Sequence, residues 1–553
     1  MGLLLLCLGN LAVTLLATAT VVALAARWRR RWLAVGVPSL VALGLFGLYA
    51  GLAVLAGAFW RNAGMALAPL CFLLALTLLF GAGCFWLIVA GLRRGQSGSR
   101  RTATWPVCRL AALLGVAIIL HLATWWGLEL AAEQRTAALR AESNLLILAA
   151  APAPVPDHDN AASSYSQATD ALRSAMQMPL GSFHNWQGWV SRSAAGCPDR
   201  TDRERLDTND AKLRAFLKEQ ADTIALLHKG ANKRSCAFGR PYDQRSLGDV
   251  APETYFLRDA ATLLALDARC KAADGDARGA MRDCRATFAI ARHVAGDRTL
   301  ISLFYSIGVQ EFAVDAMKDV LETAPPTAAD LAELDDLDDF SYYQALRRAL
   351  RMEEALGCQA FCDVGEVLVH CGSLGSGSEP LGHGWWIVPY NIFLRKEDIE
   401  IFHTLIGGQQ RFADVPCYQY AAEWQEAARQ AYETKARARH GYLAPMIAPS
   451  HLGYQVHAIT ADAKRRLAVT AVAVCRFRAA RGRLPNAIAD LVPQFLAAVP
   501  RDPFDGRPLR MKKTGENLVV YSIGEDGKDD GGIPWNLQKQ AGDITFTIKV
   551  IPQ

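Results

Sequence analysis

Charge is nearly absent from the first 131 residues. Segments 1–26, 33–59 and 64–91 contain no charged side chain, and 107–131 carries only Arg109 and Glu129 near its ends. Such stretches do not cover themselves with a solvated surface, and each reaches the roughly 20 apolar residues that cross a bilayer core as helix. A strong net charge is also missing: the balance is +5 over 553 residues, much of it in two short arginine clusters. The basic face that a nucleic-acid-binding domain needs is therefore not there. Catalytic signatures are missing too. There is no Gly-x-Ser-x-Gly elbow, no His-Glu-x-x-His and no phosphate-binding glycine loop with lysine. The run Gly372-Ser373-Leu374-Gly375-Ser376-Gly377 lacks the strand-turn-helix setting of a nucleophile elbow.

What is present begins with arginine. The break after the first apolar segment holds Arg27, Arg29, Arg30 and Arg31, and the break after the third holds Arg93, Arg94, Arg100 and Arg101. The middle break has only Arg61. Arginine-rich short loops stay cytoplasmic. The pattern predicts four transmembrane helices in 1–131, an outward N-terminus, and everything after about residue 132 outside the inner membrane, on the periplasmic side. A cleaved signal peptide over 1–26, with Ala23-Leu24-Ala25 as the cleavage site, is the alternative, but the basic start of such a peptide is missing. His121 and Asn10 are polar positions within these segments. His121 is a functional candidate as an intramembrane ionisable group, and otherwise a neutral imidazole bonded to a neighbouring helix.

Thirteen cysteines are present, and nine follow residue 131, an odd number that leaves at least one thiol unpaired within the chain. Cys358, Cys362, His370 and Cys371 lie close in sequence, but the paired Cys-x2-Cys knuckles of structural zinc sites are absent. Small buried cysteines or a disulfide fit better.

The remainder reads as a mostly helical domain. A proline-rich connector, Ala149 to Pro156, closes a linker over 132–156. Within 203–230, Leu206, Leu213, Phe216, Ile224 and Leu227 keep near-helical spacing, and 253–273 repeats the pattern. Gly275-Asp276 and Gly296-Asp297 each pair a helix terminator with an N-cap residue, and Pro325-Pro326 stops the helix after them. Helices of this length with short turns predict antiparallel hairpins over 157–460, or a short solenoid. A further helix is expected over 340–371. The aromatic segment His383 to Tyr390 suits either the membrane interface or the core, with the core favoured because no basic amphipathic helix accompanies it.

The last part, 461–553, changes character. Leu467, Ala471, Val474 and Phe477 make an apolar helical stripe. Leu484-Pro485 follows, then Pro500-Arg501-Asp502-Pro503 running to Pro508. Leu518 to Ile523 is rich in β-branched and aromatic residues and predicts a strand, and Ile544, Phe546 and Ile548 alternate in another. Between them lies an acidic glycine loop, Gly524 to Gly532. This ordered set resembles the C-terminal half of the major pseudopilins of type II secretion, over roughly the last ninety residues. The resemblance implies a small α+β module and calcium binding in the loop after the strand. Asp526 stands at the family's acidic position, with Asp529 and Asp530 in the same loop, and hard cations take several such oxygens. The alternative is a solvated Asp-Gly turn. The start Met1-Gly2-Leu3-Leu4 departs from the family's leader, so polymerisation of the pseudopilin kind is not expected.

The expected fold class is thus membrane α, a four-helix transmembrane anchor, plus a mainly α-helical extracytoplasmic domain and a small C-terminal α+β pseudopilin-like module. This layout is similar to that of large bacterial multi-pass membrane proteins. The expected function is a cell-envelope scaffold that contacts the bilayer and binds a protein or peptide, without nucleic acid. The rivals are an extracytoplasmic hydrolase whose carboxylates or histidines are assembled only by the fold, and a transporter or secretion accessory subunit built around His121.

Overall fold

The computed structural model describes residues 104–176, 206–242, 252–363, 390–413 and 452–549, with short breaks, together with Tyr418 and Ala444. The helices are α1 (Thr104–Ala150), α2 (Ala162–Met176), α3 (Ala211–Glu219), α4 (Ala221–Ala231), α5 (Pro252–Ala273), α6 (Ala277–Ala295), α7 (Leu300–Thr323), α8 (Ala328–Leu331), α9 (Tyr342–Ala360), α10 (Arg395–Ala413) and α11 (Leu452–Arg481). The strands are β1 (Arg510–Thr514), β2 (Asn517–Ser522) and β3 (Ile544–Lys549), which form one antiparallel sheet in that order.

The four-helix transmembrane anchor is overturned as part of the fold class. Among the described residues one helix is long and apolar enough to cross a membrane, and it is α7, 67% buried inside the protein. Hydropathy does not separate a membrane span from a helix surrounded by protein on all sides, because both are apolar all round. Segments 1–26, 33–59 and 64–91 lie outside the described residues. The fourth, 107–131, is the first part of α1, which runs on through the expected linker to Ala150. The structure is mostly helical with one small three-stranded sheet.

Chain contacts divide the protein into two units. The larger holds Ser143–Gly357, Thr404–Glu433 and Ala448–Gln553. At its centre α5, α6 and α7 pack mutually, and α2 lies against α4 and α5. The turn from α5 to α6 forms as the sequence implies. Gly275 takes φ +83, which only glycine adopts freely, and Asp276 caps α6 by accepting from the Gly279 N–H at 2.9 Å. The turn from α6 to α7 differs. Gly296 stays right-handed, Arg298 adopts φ +60, and Thr299 is the N-cap, accepting from the Ser302 N–H at 3.1 Å. The left-handed Arg298 is held by Nη1 donating to Ala150 O at 2.9 Å and Ala151 O at 3.1 Å. The expected single helix over 203–230 is two, α3 and α4, broken at Gln220.

The C-terminal residues join the same core. Leu467, Ala471, Val474 and Phe477 of α11 are buried in one cluster with Leu263, Met281 and Phe312 of the hairpins and Leu518, Val520, Phe546 and Ile548 of the sheet. Val520 faces Phe546 across the β2–β3 ladder, so period-two alternation sends these side chains to the helical side. Gly482, at φ +67, ends α11 with its N–H on Arg478 O at 2.8 Å.

Polar groups inside this unit are paired across helices. Arg269 of α5 is 4% exposed. Its Nη2 donates to Asp315 at 2.9 Å and its Nε to Asp319 at 2.7 Å, both on α7, and its Nη1 to Ala265 O at 2.8 Å. Asp462 of α11 caps α9, accepting from the Tyr342 N–H at 2.7 Å and the Ser341 hydroxyl at 3.1 Å. Burial raises its pKa, and Arg466 and the Tyr342 N–H oppose the rise.

The smaller unit comprises Met1–Glu142, Cys358–His403 and Thr434–Ile447. Here Tyr390 is buried and donates to Asp398 at 2.7 Å, and Asp398 also accepts from the Ala444 N–H at 3.0 Å. Phe361 and Phe402 meet edge to face with centroids 5.6 Å apart. Tyr390 thus plugs a core, and the rest of the aromatic segment, 383–389, lies outside the described residues.

Removing one partner of a buried ion pair leaves the other charge uncompensated, so Arg269→Ala should lower unfolding stability by about 3–5 kcal/mol. Lys396→Ala, which breaks an exposed 3.9 Å pair with Glu400, should change it by only about 0–1 kcal/mol. Urea unfolding of the two variants checks the contrast, and equal effects would contradict it.

Candidate functional site

The pseudopilin-like segment is organised by Asp502, the third residue of the Pro-x-Asp-Pro stretch. Its buried carboxylate accepts from the Ser522 hydroxyl at 2.8 Å, the Ile523 N–H at 2.9 Å, the Phe504 N–H at 3.0 Å and Arg510 Nη1 at 3.1 Å. It ties the turn before β1 to the end of β2. Burial raises its pKa, and the N–H groups of Phe504 and Ile523 counter the rise. Arg510 also reaches Asp505 at 2.6 Å and Asp529 at 2.8 Å.

The three loop aspartates are therefore not equivalent. Asp529 is engaged by Arg510 and by the Gly531 N–H at 3.0 Å. Burial acts against its charge, but the Gly531 N–H and Arg510 outweigh this and hold its pKa below the usual carboxylate range. Asp526 Oδ2 and Asp530 Oδ2 are buried atoms with no hydrogen-bond partner among the described residues. Behind them the buried Asp543 accepts from the Gly532 N–H at 2.6 Å and the Asp530 N–H at 3.3 Å. No group of three metal-ligating side chains converges among the described residues. A cation here would be held by the two orphaned oxygens and by loop carbonyls, a donor set that suits calcium.

A second cluster was not visible in sequence. His228 Nε2 meets Asp283 Oδ1 at 2.8 Å, Lys271 Nζ meets Asp283 Oδ2 at 2.8 Å, and Lys271 also meets Asp267 at 2.6 Å. These side chains come from α4, α5 and α6. Burial and then the neighbouring Asp283 push the Asp267 carboxyl up to about 6, with Lys271 opposing. Desolvation disfavours the Lys271 charge, but Asp283 and Asp267 outweigh it and raise its pKa. Two carboxylates, an imidazole and an ammonium are the parts of acid–base chemistry. Here both Asp283 oxygens are committed to internal partners. The one sequence trace was the Asp267/Lys271 spacing of four, which places the pair on one helical face.

Other singled-out residues separate. Cys358 Sγ lies 3.5 Å from His403 Nε2, and Cys362 Sγ lies 3.9 Å from Thr136 O. Cys358 and Cys362 are free buried thiols. His370, Cys371, His184 and Asn10 lie outside the described residues, as does the side chain of His121. His158 is exposed. His293 is buried, with Nδ1 at 2.9 Å from the Tyr165 hydroxyl and Nε2 at 3.0 Å from Lys233 O. Burial and then Arg292 bring its pKa down to about 4. It is a neutral core histidine.

No protein-family model matches the chain, and no curated protein or solved structure does.

Asp267 has a folded pKa of about 6, above the ordinary value of about 3.9. Its contribution therefore favours the fold fully below about pH 4 and is lost as pH rises through about 6. Urea midpoints across this window should show the wild type losing stability relative to Asp267→Asn. A pH-independent difference between the two would contradict the assignment.

Proposed function

We propose that this chain is an interaction scaffold of the cell envelope that binds a protein or peptide. The observation that carries the reading is the distribution of exposed large apolar residues. On α1, Trp126 and Leu130 are exposed within the smaller unit and Leu145, Leu146 and Leu148 within the larger, Leu145 and Leu148 at 70% and 62%, while Tyr255 and Ile533 are exposed on other segments. Trp126 and Leu130 are four residues apart and Leu145 and Leu148 three, so each pair shares a helix face. Exposed apolar side chains gathered on one element mark contact surfaces. The envelope location is supported by the resemblance of the last ninety residues, with Leu484-Pro485, Pro500 to Pro508 and Tyr521 to Gly527, to the pseudopilins of type II secretion.

The hydrolase reading is favoured by the cluster of His228, Asp283, Lys271 and Asp267. It is second because the groups satisfy one another, whereas a working general base needs a proton of the substrate within reach.

Calcium binding at Asp526 and Asp530 belongs to the same proposal. Two orphaned carboxylate oxygens in a glycine-rich turn support it, and the cation would brace the loop between β2 and β3.

Photo-crosslinking residues placed at positions 145 and 148 should give a discrete protein adduct in intact cells, and one at the exposed Lys229 should not. No adduct, or equal adducts at all three, would sink the scaffold reading. Calcium titration should raise the melting temperature of the full chain by several degrees, and Asp526→Asn or Asp530→Asn should abolish the shift. A shift that survives both substitutions would remove the cation from this loop.

A further inference from the structure

Cys358 lies in the last turn of α9 and Cys362 just beyond it, both in the smaller unit. They are free thiols, 2% and 8% exposed. Cys358 Sγ is 3.5 Å from Nε2 of His403 on α10. Phe361 against Phe402 holds the same two segments together. With its ring proton on Nδ1, His403 accepts the Cys358 thiol proton, the arrangement of a nucleophile and its base. Cys362 follows Cys358 by four residues, a spacing that puts Cβ atoms about 5–6 Å apart on one helix face. A disulfide needs about 3.5–4.5 Å. Cys362 has left the helix, its N–H turning back to Gln359 O at 2.8 Å, so it is free of the helical ladder that would hold the two apart.

Cys362 lines a cleft of about 380 Å³ together with Glu129, Glu133, Thr136, Arg140 and Asn391. The volume falls within the range of small-molecule sites. Arg140 is paired with Asp363 at 2.6 Å, whereas Glu129 and Glu133 are exposed, so the cleft presents negative charge to a ligand. Burial and then Asp363 push the Cys362 thiol up to about 11, with Arg140 and Arg395 opposing and Cys358 adding to the rise. The two thiols are thus close enough that charge on one disfavours charge on the other.

We propose that Cys362 and Cys358 form a dithiol–disulfide couple that exchanges with a small disulfide carrying amino groups. The Cys362 thiolate attacks one sulfur of the disulfide in the cleft. The S–S bond breaks, a mixed disulfide forms on Cys362, and the first leaving thiolate takes up the proton that Cys362 released. Cys358 then passes its proton to His403 Nε2 and attacks Cys362 Sγ. The mixed disulfide breaks, and the second leaving thiolate takes that proton from His403. Two chain thiols are oxidised to one disulfide, and the ligand disulfide is reduced to two thiols. Glu129 and Glu133 favour positive charge beside the ligand sulfurs and disfavour carboxylates there. This site is independent of the apolar residues that carry the scaffold reading.

Treating the full-length chain with cystamine, a diamine disulfide, or with oxidised glutathione, followed by peptide mass spectrometry, tests the proposal. With cystamine, the fragment holding both cysteines should lose two hydrogens as its internal disulfide forms, several-fold faster than with oxidised glutathione. The rate should climb about tenfold per pH unit above neutrality, because Cys362 ionises only near pH 11. Cys358→Ser should stop the reaction at a cysteamine adduct on Cys362, and Cys362→Ser should leave Cys358 unmodified. His403→Gln should form the adduct at the wild-type rate and convert it to the disulfide about tenfold more slowly. Glu133→Gln should narrow the preference for cystamine. Failure of the wild-type chain to form the Cys358–Cys362 disulfide would overturn the couple, whether or not the substituted chains fold. Direct modification of Cys358 in the Cys362→Ser chain would overturn the order of attack, and equal wild-type rates with the two disulfides would overturn the charge selection.

Discussion

Arg269 joins α5 to α7 from inside the core, and the larger unit depends on its being satisfied there. Its three nitrogens meet Asp315, Asp319 and the Ala265 carbonyl, so each nitrogen of the buried guanidinium has an acceptor. A buried ion pair contributes little net stability compared with a well-packed apolar pair, but it is intolerant of displacement, because each partner alone is costly. It therefore fixes the register of α5 against α7. α6 closes the three-helix group, and α11 and the sheet pack onto the surface so defined.

The same logic recurs with carboxylates that sit on one element and serve another. Asp462 of α11 satisfies the first N–H groups of α9, and Asp502 joins the turn before β1 to the end of β2. Each has its pKa raised by burial, and the N–H donors counter only part of the rise. These links make the C-terminal segment an integral part of the larger unit. The contrast is with Asp526 and Asp530, each of which keeps one buried carboxylate oxygen without a hydrogen-bond partner among the described residues.

Local chemistry was legible in the sequence where it acts over a few residues. Gly275-Asp276 forms the turn and cap it implies, the stripe Leu467, Ala471, Val474 and Phe477 is buried, and Val519-Val520-Tyr521 lies in a strand. The α6–α7 turn was displaced because Arg298 has carbonyl partners 148 and 147 residues away, which no local pattern reveals. The four-helix anchor rested on hydropathy, and hydropathy also selects α7, whose apolar surroundings are protein. The cluster of His228, Asp283 and Lys271 draws on three helices, so only the fold brings it together. Asp502 stood in a recognised stretch, but its role depends on the strand end that folds back to it.

α5–α7, α11 and the three-stranded sheet share one core and therefore one cooperative transition. Native-state hydrogen exchange on the full chain tests it directly. Amides of Val519 and Val520 in β2 and those in the middle of α7 should exchange through the same global opening, with equal free energies and equal denaturant dependence. Exchange of the β2 amides at a markedly lower free energy, while α7 stays protected, would contradict the single core and make the sheet a separate appendage.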